Sequence, residues 1–148
     1  MMRSLLIALV LVFATNSAAP RQSVLQDDDS LAMRFETVDL VLDPRGQVLA
    51  AWQVRLVDPS GRARVVGIEG GEDPAFAEPP FHDPRALAGG ALVLAAYDTS
   101  GAGPDAPTRI ARLHLAVTGS APVDFDVTVE VAASPNGPVD GATCRLVR

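Results

Sequence analysis

Val38 to Gly71 reads VDLVLDPRGQVLAAWQVRLVDPSGRARVVGIEGG, and its rhythm decides the fold. Val38, Leu40 and Leu42 alternate with Asp39 and Val41, a period of two that lines one side of a strand with apolar residues. Asp43-Pro44-Arg45-Gly46 signals a turn, with Pro44 presetting its φ and Gly46 open to positive φ. Ala50, Trp52, Val54 and Leu56 form a second inward row against Ala51, Gln53, Arg55 and Val57. Asp58-Pro59-Ser60-Gly61 repeats the turn chemistry. Arg64 to Ile68 is then a short third strand, ended by Gly70-Gly71.

Downstream the same punctuation continues. Residues 70–90 carry four prolines and break the rhythm, with at most one helical turn near Asp83 to Leu87. Ala91 to Tyr97 is an apolar strand, and Thr99 to Pro107 a loop rich in Gly and Pro. Ala111, Leu113, Leu115 and Val117 share one face of a strand whose other face bears Arg112 and His114. Phe125, Val127, Val129 and Val131 repeat that pattern against Asp124, Asp126, Thr128 and Glu130. Ser134 to Pro138 is a turn, and Ala142 to Val147 a closing strand. About seven or more short strands with frequent turns and no long helical pattern predict an all-β, two-sheet antiparallel β-sandwich. The clean alternation leaves one face of each sheet wet.

Upstream, the 148-residue chain opens as a targeting segment. Met1, Met2 and Arg3 are followed by an apolar run, Leu5 to Ala14, and a small polar stretch, Thr15 to Ala19. A membrane-spanning helix needs roughly 20 apolar residues, so the run predicts a signal peptide over residues 1–19 and no stable membrane span in the mature form. Residues 20–34, with Asp27-Asp28-Asp29, lack a hydrophobic period and read as a flexible lead-in. The domain is then residues 35–148, exported to the periplasm, cell surface or extracellular space. All 12 basic residues are Arg, against 18 acidic ones, and the net charge is −6. That balance argues against nucleic acid and anionic lipid headgroups as partners. Lys-free, Ala- and Arg-rich usage points to a GC-rich genome, so Ala content is poor evidence for helix.

Little in the chain suggests catalysis. There is no G-x-S-x-G elbow, and the lone Cys144 reads as a buried, inert thiol, with pairing between chains the alternative. His114 reads as a solvated side chain on an outward face, and an orienting contact within His82-Asp83 is a remote alternative. Glu69, Glu72, Asp73 and Glu78 cluster in sequence, as surface acids do, although a glycosidase would need two such carboxylates opposed. The His and Cys residues have no zinc spacing, and no cofactor is called for. Calcium held by loop carboxylates such as Asp43, Asp58 or Asp98 stays open, with no way to choose among them.

The run from Val38 to Gly71, with the strand Ala91 to Tyr97, the Gly-rich loop after it and the strand Arg109 to Val117, resembles a cohesin domain. The resemblance covers about Phe35 to Val147 and rests on strand lengths and turns. It implies a jelly-roll sandwich shared with a group of bacterial carbohydrate-binding domains, and hence a binding module and no enzyme. The implied partner is a protein, such as a dockerin-like or envelope protein; the alternative is a polysaccharide, and a small hydrolase is more remote.

The binding residues are sought in the longest stretch without strand pattern, Glu69 to Gly90, because long irregular connections are often functional. Phe76, Phe81 and His82 offer apolar anchors beside polar groups, and Tyr97 is a further candidate. Trp52, by contrast, falls in an inward row. The competing expectation for the loop is that both Phe tuck inward and plug the open end of the sandwich.

Overall fold

A computed structural model describes residues 32–148; the expected signal peptide, 1–19, and most of the expected lead-in, 20–34, lie outside them. Eight strands follow in chain order: β1 (Met33–Asp43), β2 (Ala51–Val57), β3 (Ala63–Gly70), β4 (Ala91–Tyr97), β5 (Thr108–Thr118), β6 (Asp126–Ser134), β7 (Gly137–Pro138) and β8 (Thr143–Val147). They form two four-stranded antiparallel sheets, A in the order β3-β5-β1-β8 and B in the order β4-β2-β6-β7. The fold is an all-β sandwich. β1 begins two residues before Phe35, so the strand takes in the end of the expected lead-in. No helix among the described residues is long and apolar enough to cross a membrane.

The core lies between the sheets and is built by alternation. Val38, Leu40 and Leu42 of β1 and Leu113, Leu115 and Val117 of β5 face Trp52, Val54 and Leu56 of β2 and Leu92 and Leu94 of β4, all buried. Removing such rows from water is the main favourable term of folding.

Three bulges disturb the alternation. In β5, Leu40 pairs with Ala111 but Val41 with Arg109, so Ile110 is an extra residue and both Ile110 and Ala111 turn inward. In β3 the extra residue is Val66, which is left exposed. In β6, Gln53 pairs with Val131 and Val54 with Val129, making Glu130 the extra residue. The expected inward place of Val131 is thereby corrected: the bulge reverses the side-chain parity, Val131 faces solvent at 45% exposure, and Ala132 packs on the core instead.

The first turn also departs from expectation. Its central residues are Arg45 and Gly46, with φ of 59° and 80°, and Gln47 N–H donates to the Pro44 carbonyl at 3.1 Å. Two positive φ values mark a type I′ turn, so Pro44 supplies the first residue and not the preset corner. Asp43 Oδ1 supports the strained Arg45 by accepting its N–H at 2.8 Å. The second turn is held from inside by Asp58, only 5% exposed. Its Oδ1 accepts from Ser60 N–H (2.8 Å) and Oγ–H (2.6 Å), and its Oδ2 from Ala63 N–H (2.7 Å).

Residues 71–90 seal one flank of the sandwich. They contain two 3₁₀ turns, Pro74–Phe76 capped by Asp73 and Pro84–Ala88 capped by Asp83. Only the second was expected. The chain passes so close over Gly70 that a Cβ there would collide with the Ala77 carbonyl, and Gly71 N–H donates to Phe76 O at 2.6 Å. This fold-back drives Phe76 into the core.

Candidate binding face

The structure separates the two phenylalanines of this connection. Phe76 is 2% exposed and meets Trp52 edge to face, with ring centroids 6.3 Å apart at 71°. Phe76 is therefore a plug between the sheets, which corrects its place among the binding candidates: a residue so deep cannot anchor a partner. Phe81 does the opposite. Its N–H donates to Ala95 O (2.8 Å) and its carbonyl accepts from Ala95 N–H (3.1 Å), a single bridge that extends the free edge of β4 by one residue.

Cross-strand partners point to the same side of a sheet, so the bridge places the Phe81 side chain on the outer face of sheet B with Ala95. Tyr97 lies two residues along β4 on that face. The rings stack, with centroids 6.1 Å apart and planes at 10°, and they are 68% and 66% exposed. The rest of the face follows from register. Ala51 lies between Tyr97 and Ala133, Gln53 between Ala95 and Val131, and Arg55 between Val93 and Thr128. Gln53 Nε2–H donates to Glu130 Oε2 at 2.6 Å, using the polar groups of the centre on each other. What remains is a surface of Ala and Val side chains with an aromatic pair at one edge, Thr128 and Asp126 towards the end where β6 begins, and Arg55, which has no ion pair among the described residues.

His82 follows Phe81 in the chain but points its Nδ1 at the Pro80 carbonyl, 3.1 Å away. Its neighbour Asp83 is taken by Arg85, whose N–H and Nε–H donate to Asp83 Oδ1 at 2.9 and 3.2 Å. The His82–Asp83 contact does not form. Of the four candidates, Phe81 and Tyr97 are brought together, His82 lies beside them in sequence, and Phe76 is elsewhere.

The outer face of sheet A is differently furnished. Arg112 donates through Nε and Nη2 to both oxygens of Asp39, at 2.7 and 2.9 Å. That hydrogen bond holds the Asp39 carboxyl below its ordinary pKa. His114 lies against Gly67 and reaches Glu69, Nε2 to Oε1 2.7 Å, a pairing that the sequence reading of a solvated His114 did not include. At the end where β1 begins, Met33, Phe35 and Val66 are exposed.

The other groups considered for chemistry are dispersed or occupied. Glu72 Oε1 accepts from Arg109 N–H at 3.0 Å, and Asp73 caps a turn. Glu69, Glu72 and Asp73 are thus engaged one by one. Asp43, Asp58 and Asp98 each fold back on their own turn; Asp98 Oδ2 takes Ser100 N–H (3.1 Å) and Oγ–H (2.7 Å), which lowers its pKa. Among the described residues no group of three or more His, Cys, Asp or Glu is placed to hold a metal ion. Cys144 is half-buried on the inner side of β8, and burial pushes its thiol up to about 12, so it is uncharged at neutral pH and a poor nucleophile. No family model matches the chain, and no curated protein does.

Proposed function

We propose that this protein is a non-catalytic, exported binding module of cohesin-like, jelly-roll type, and that it engages a protein partner through the outer face of sheet B. The observation that carries the reading is the stacked pair Phe81 and Tyr97, 6.1 Å apart and about two-thirds exposed on a face of small apolar side chains. Aromatic side chains left in water beside a flat apolar surface are the usual anchors of interfaces, and contiguous exposed apolar patches mark interaction sites. Gln53 and Glu130, paired with each other at the centre of the face, and Arg55 on the same strand as Gln53 set polar groups beside this apolar area. The thiol of Cys144, kept protonated by burial, and histidines engaged by Glu69 and a carbonyl support a role without covalent chemistry.

A polysaccharide is the second reading, because ring faces that receive a side chain also receive a sugar. The two separate by experiment. Immobilised protein incubated with an envelope and culture-medium extract should retain a protein that free soluble domain displaces. Retention on an insoluble polysaccharide, displaced by soluble oligosaccharide and without any such protein, would replace the first reading by the second.

A further inference from the structure

The charge of the domain is unevenly placed, and its placement bears on the kind of partner. Backbone bonds tie several loops together at one end of the sandwich. Leu49 N–H donates to Pro104 O, Asp98 N–H to Ala50 O, Ala50 N–H to Ala133 O, and Glu72 N–H to Arg109 O. This is the end at which β4 finishes with Tyr97. Its loops carry Glu72, Asp73, Glu78, Asp98, Asp105 and Asp140 against the single charge of Arg109, which bonds the uncharged Gly70 carbonyl at 3.4 Å, while Arg45 is paired with Asp43 at 3.5 Å. At the opposite end Glu36, Asp58, Asp124 and Asp126 are balanced by four arginines, Arg34, Arg62, Arg64 and Arg148. Three of them, all but Arg64, clamp carbonyls of residues 119–123. The excess acid therefore collects around the end that bears the aromatic pair.

Aromatic ring faces carry partial negative charge and attract cations, and a guanidinium lies flat on such a face more readily than it enters an apolar core. Phe81 and Tyr97 present their rings beside loops whose field draws cations and repels anions. Arg55 lies on the same face, about 13 Å from Tyr97 along the strand direction, which exceeds a Debye length at physiological salt. Its repulsion of a cation at the pair is therefore mostly screened.

We propose that the Phe81–Tyr97 pair receives an arginine- or lysine-bearing segment of a protein partner, with the cationic group on an exposed ring face and the acidic loops meeting its charge. The proposal rests on the reading of sheet B's outer face as a protein-binding surface and adds the chemistry of what binds. Encounter is steered by the acidic end, and the rings hold the cation once it arrives.

The test is an NMR titration of the ¹⁵N-labelled protein with a short amidated peptide of alternating arginine and glycine, and with its citrulline counterpart, which keeps the shape of the guanidinium without its charge. The arginine peptide should move the amides of Phe81, Ala95, Tyr97 and Ala51 saturably. Affinity should fall about tenfold or more between about 50 mM and about 500 mM salt. The citrulline peptide and the Phe81→Ala/Tyr97→Ala variant should each bind about tenfold more weakly, and Phe35→Ala on the opposite sheet should bind unchanged. If both peptides move these amides equally, the cationic partner is overturned while the binding face stands. Amides that the arginine peptide leaves unmoved, or equal binding by the double variant, overturn the proposal as well.

Discussion

The two sheets turn very different surfaces to solvent. On sheet A the outward polar residues answer one another across strands: Arg112 grips Asp39 with two hydrogen bonds, and His114 reaches Glu69. On sheet B the outward residues are mostly Ala and Val, the one polar pair is Gln53–Glu130, and the stacked Phe81 and Tyr97 stay in water. Sheet A exposes apolar side chains as well, Met33, Phe35 and Val66 at the end where β1 begins, with Phe35 the single aromatic among them. A face that leaves two aromatic rings wet has apolar area still to bury, and at about 25 cal/mol per Å² that area favours association. Inward alternation builds the sandwich on both sides, whereas the proposed binding role rests on what the outward positions of sheet B leave unmatched.

The comparison breaks first if the aromatic residues are misassigned between core and surface. Phe76→Ala and Trp52→Ala should each lose about 3–5 kcal/mol in denaturant melts, because each opens a cavity where the two rings meet between the sheets. Phe81→Ala should lose no more than about 0.5 kcal/mol. Equal losses for Phe76 and Phe81 would mean that the connection plugs the sandwich with both.

Next in size is Asp58, which belongs to neither outer face and holds the turn that carries the chain from sheet B to sheet A. Asp58→Ala should lose about 1–3 kcal/mol, since Ala63 N–H would be left without its acceptor in a buried turn. For this carboxyl, desolvation acts upward but is outweighed by hydrogen bonds from Ser60, Ala63 and Arg62, and the pKa is lowered in the folded state. Its contribution is thus full above the unfolded value of about 3.9 and disappears as pH falls through the lower folded value. Melts of the wild type should weaken below about pH 4, and the Asp58→Ala variant should weaken less over the same range.

Smaller still is the ion pair on sheet A. A double-mutant cycle on Asp39 and Arg112 should return about 0.2–1 kcal/mol, because the pair is partly exposed, although bidentate. A value of several kcal/mol would make that face a structural element in its own right and would weaken the contrast between the sheets.

Much of this contrast is legible in the sequence, and the part that is not has identifiable physical causes. The inward rows of β1, β2 and β5 follow from alternation, whereas β4, ALVLAAY, is apolar throughout, and only its pairing with β2 sets Val93, Ala95 and Tyr97 outward. Val131 reads as inward because Val129-Glu130-Val131 keeps alternating straight through the bulge; only pairing with Gln53 and Val54 reveals the extra residue. Phe76 and Phe81 look alike in sequence, set among Pro, Ala and Glu without periodicity. Their fates are decided by tertiary contacts, the backbone crossing over Gly70 for one and a two-bond bridge to Ala95 for the other. The His114–Glu69 and Arg112–Asp39 pairs were likewise hidden, since they join strands far apart in the chain and depend on register.

The most direct measurement compares stability and binding in the double variant Phe81→Ala/Tyr97→Ala. With a protein partner recovered by the wild type, the variant should melt within about 0.5 kcal/mol of it and lose partner binding by about tenfold or more, as truncation of two interface anchors does, while Phe35→Ala keeps both properties. A stably folded double variant that binds the same partner with unchanged affinity would contradict the assignment of the binding face to sheet B.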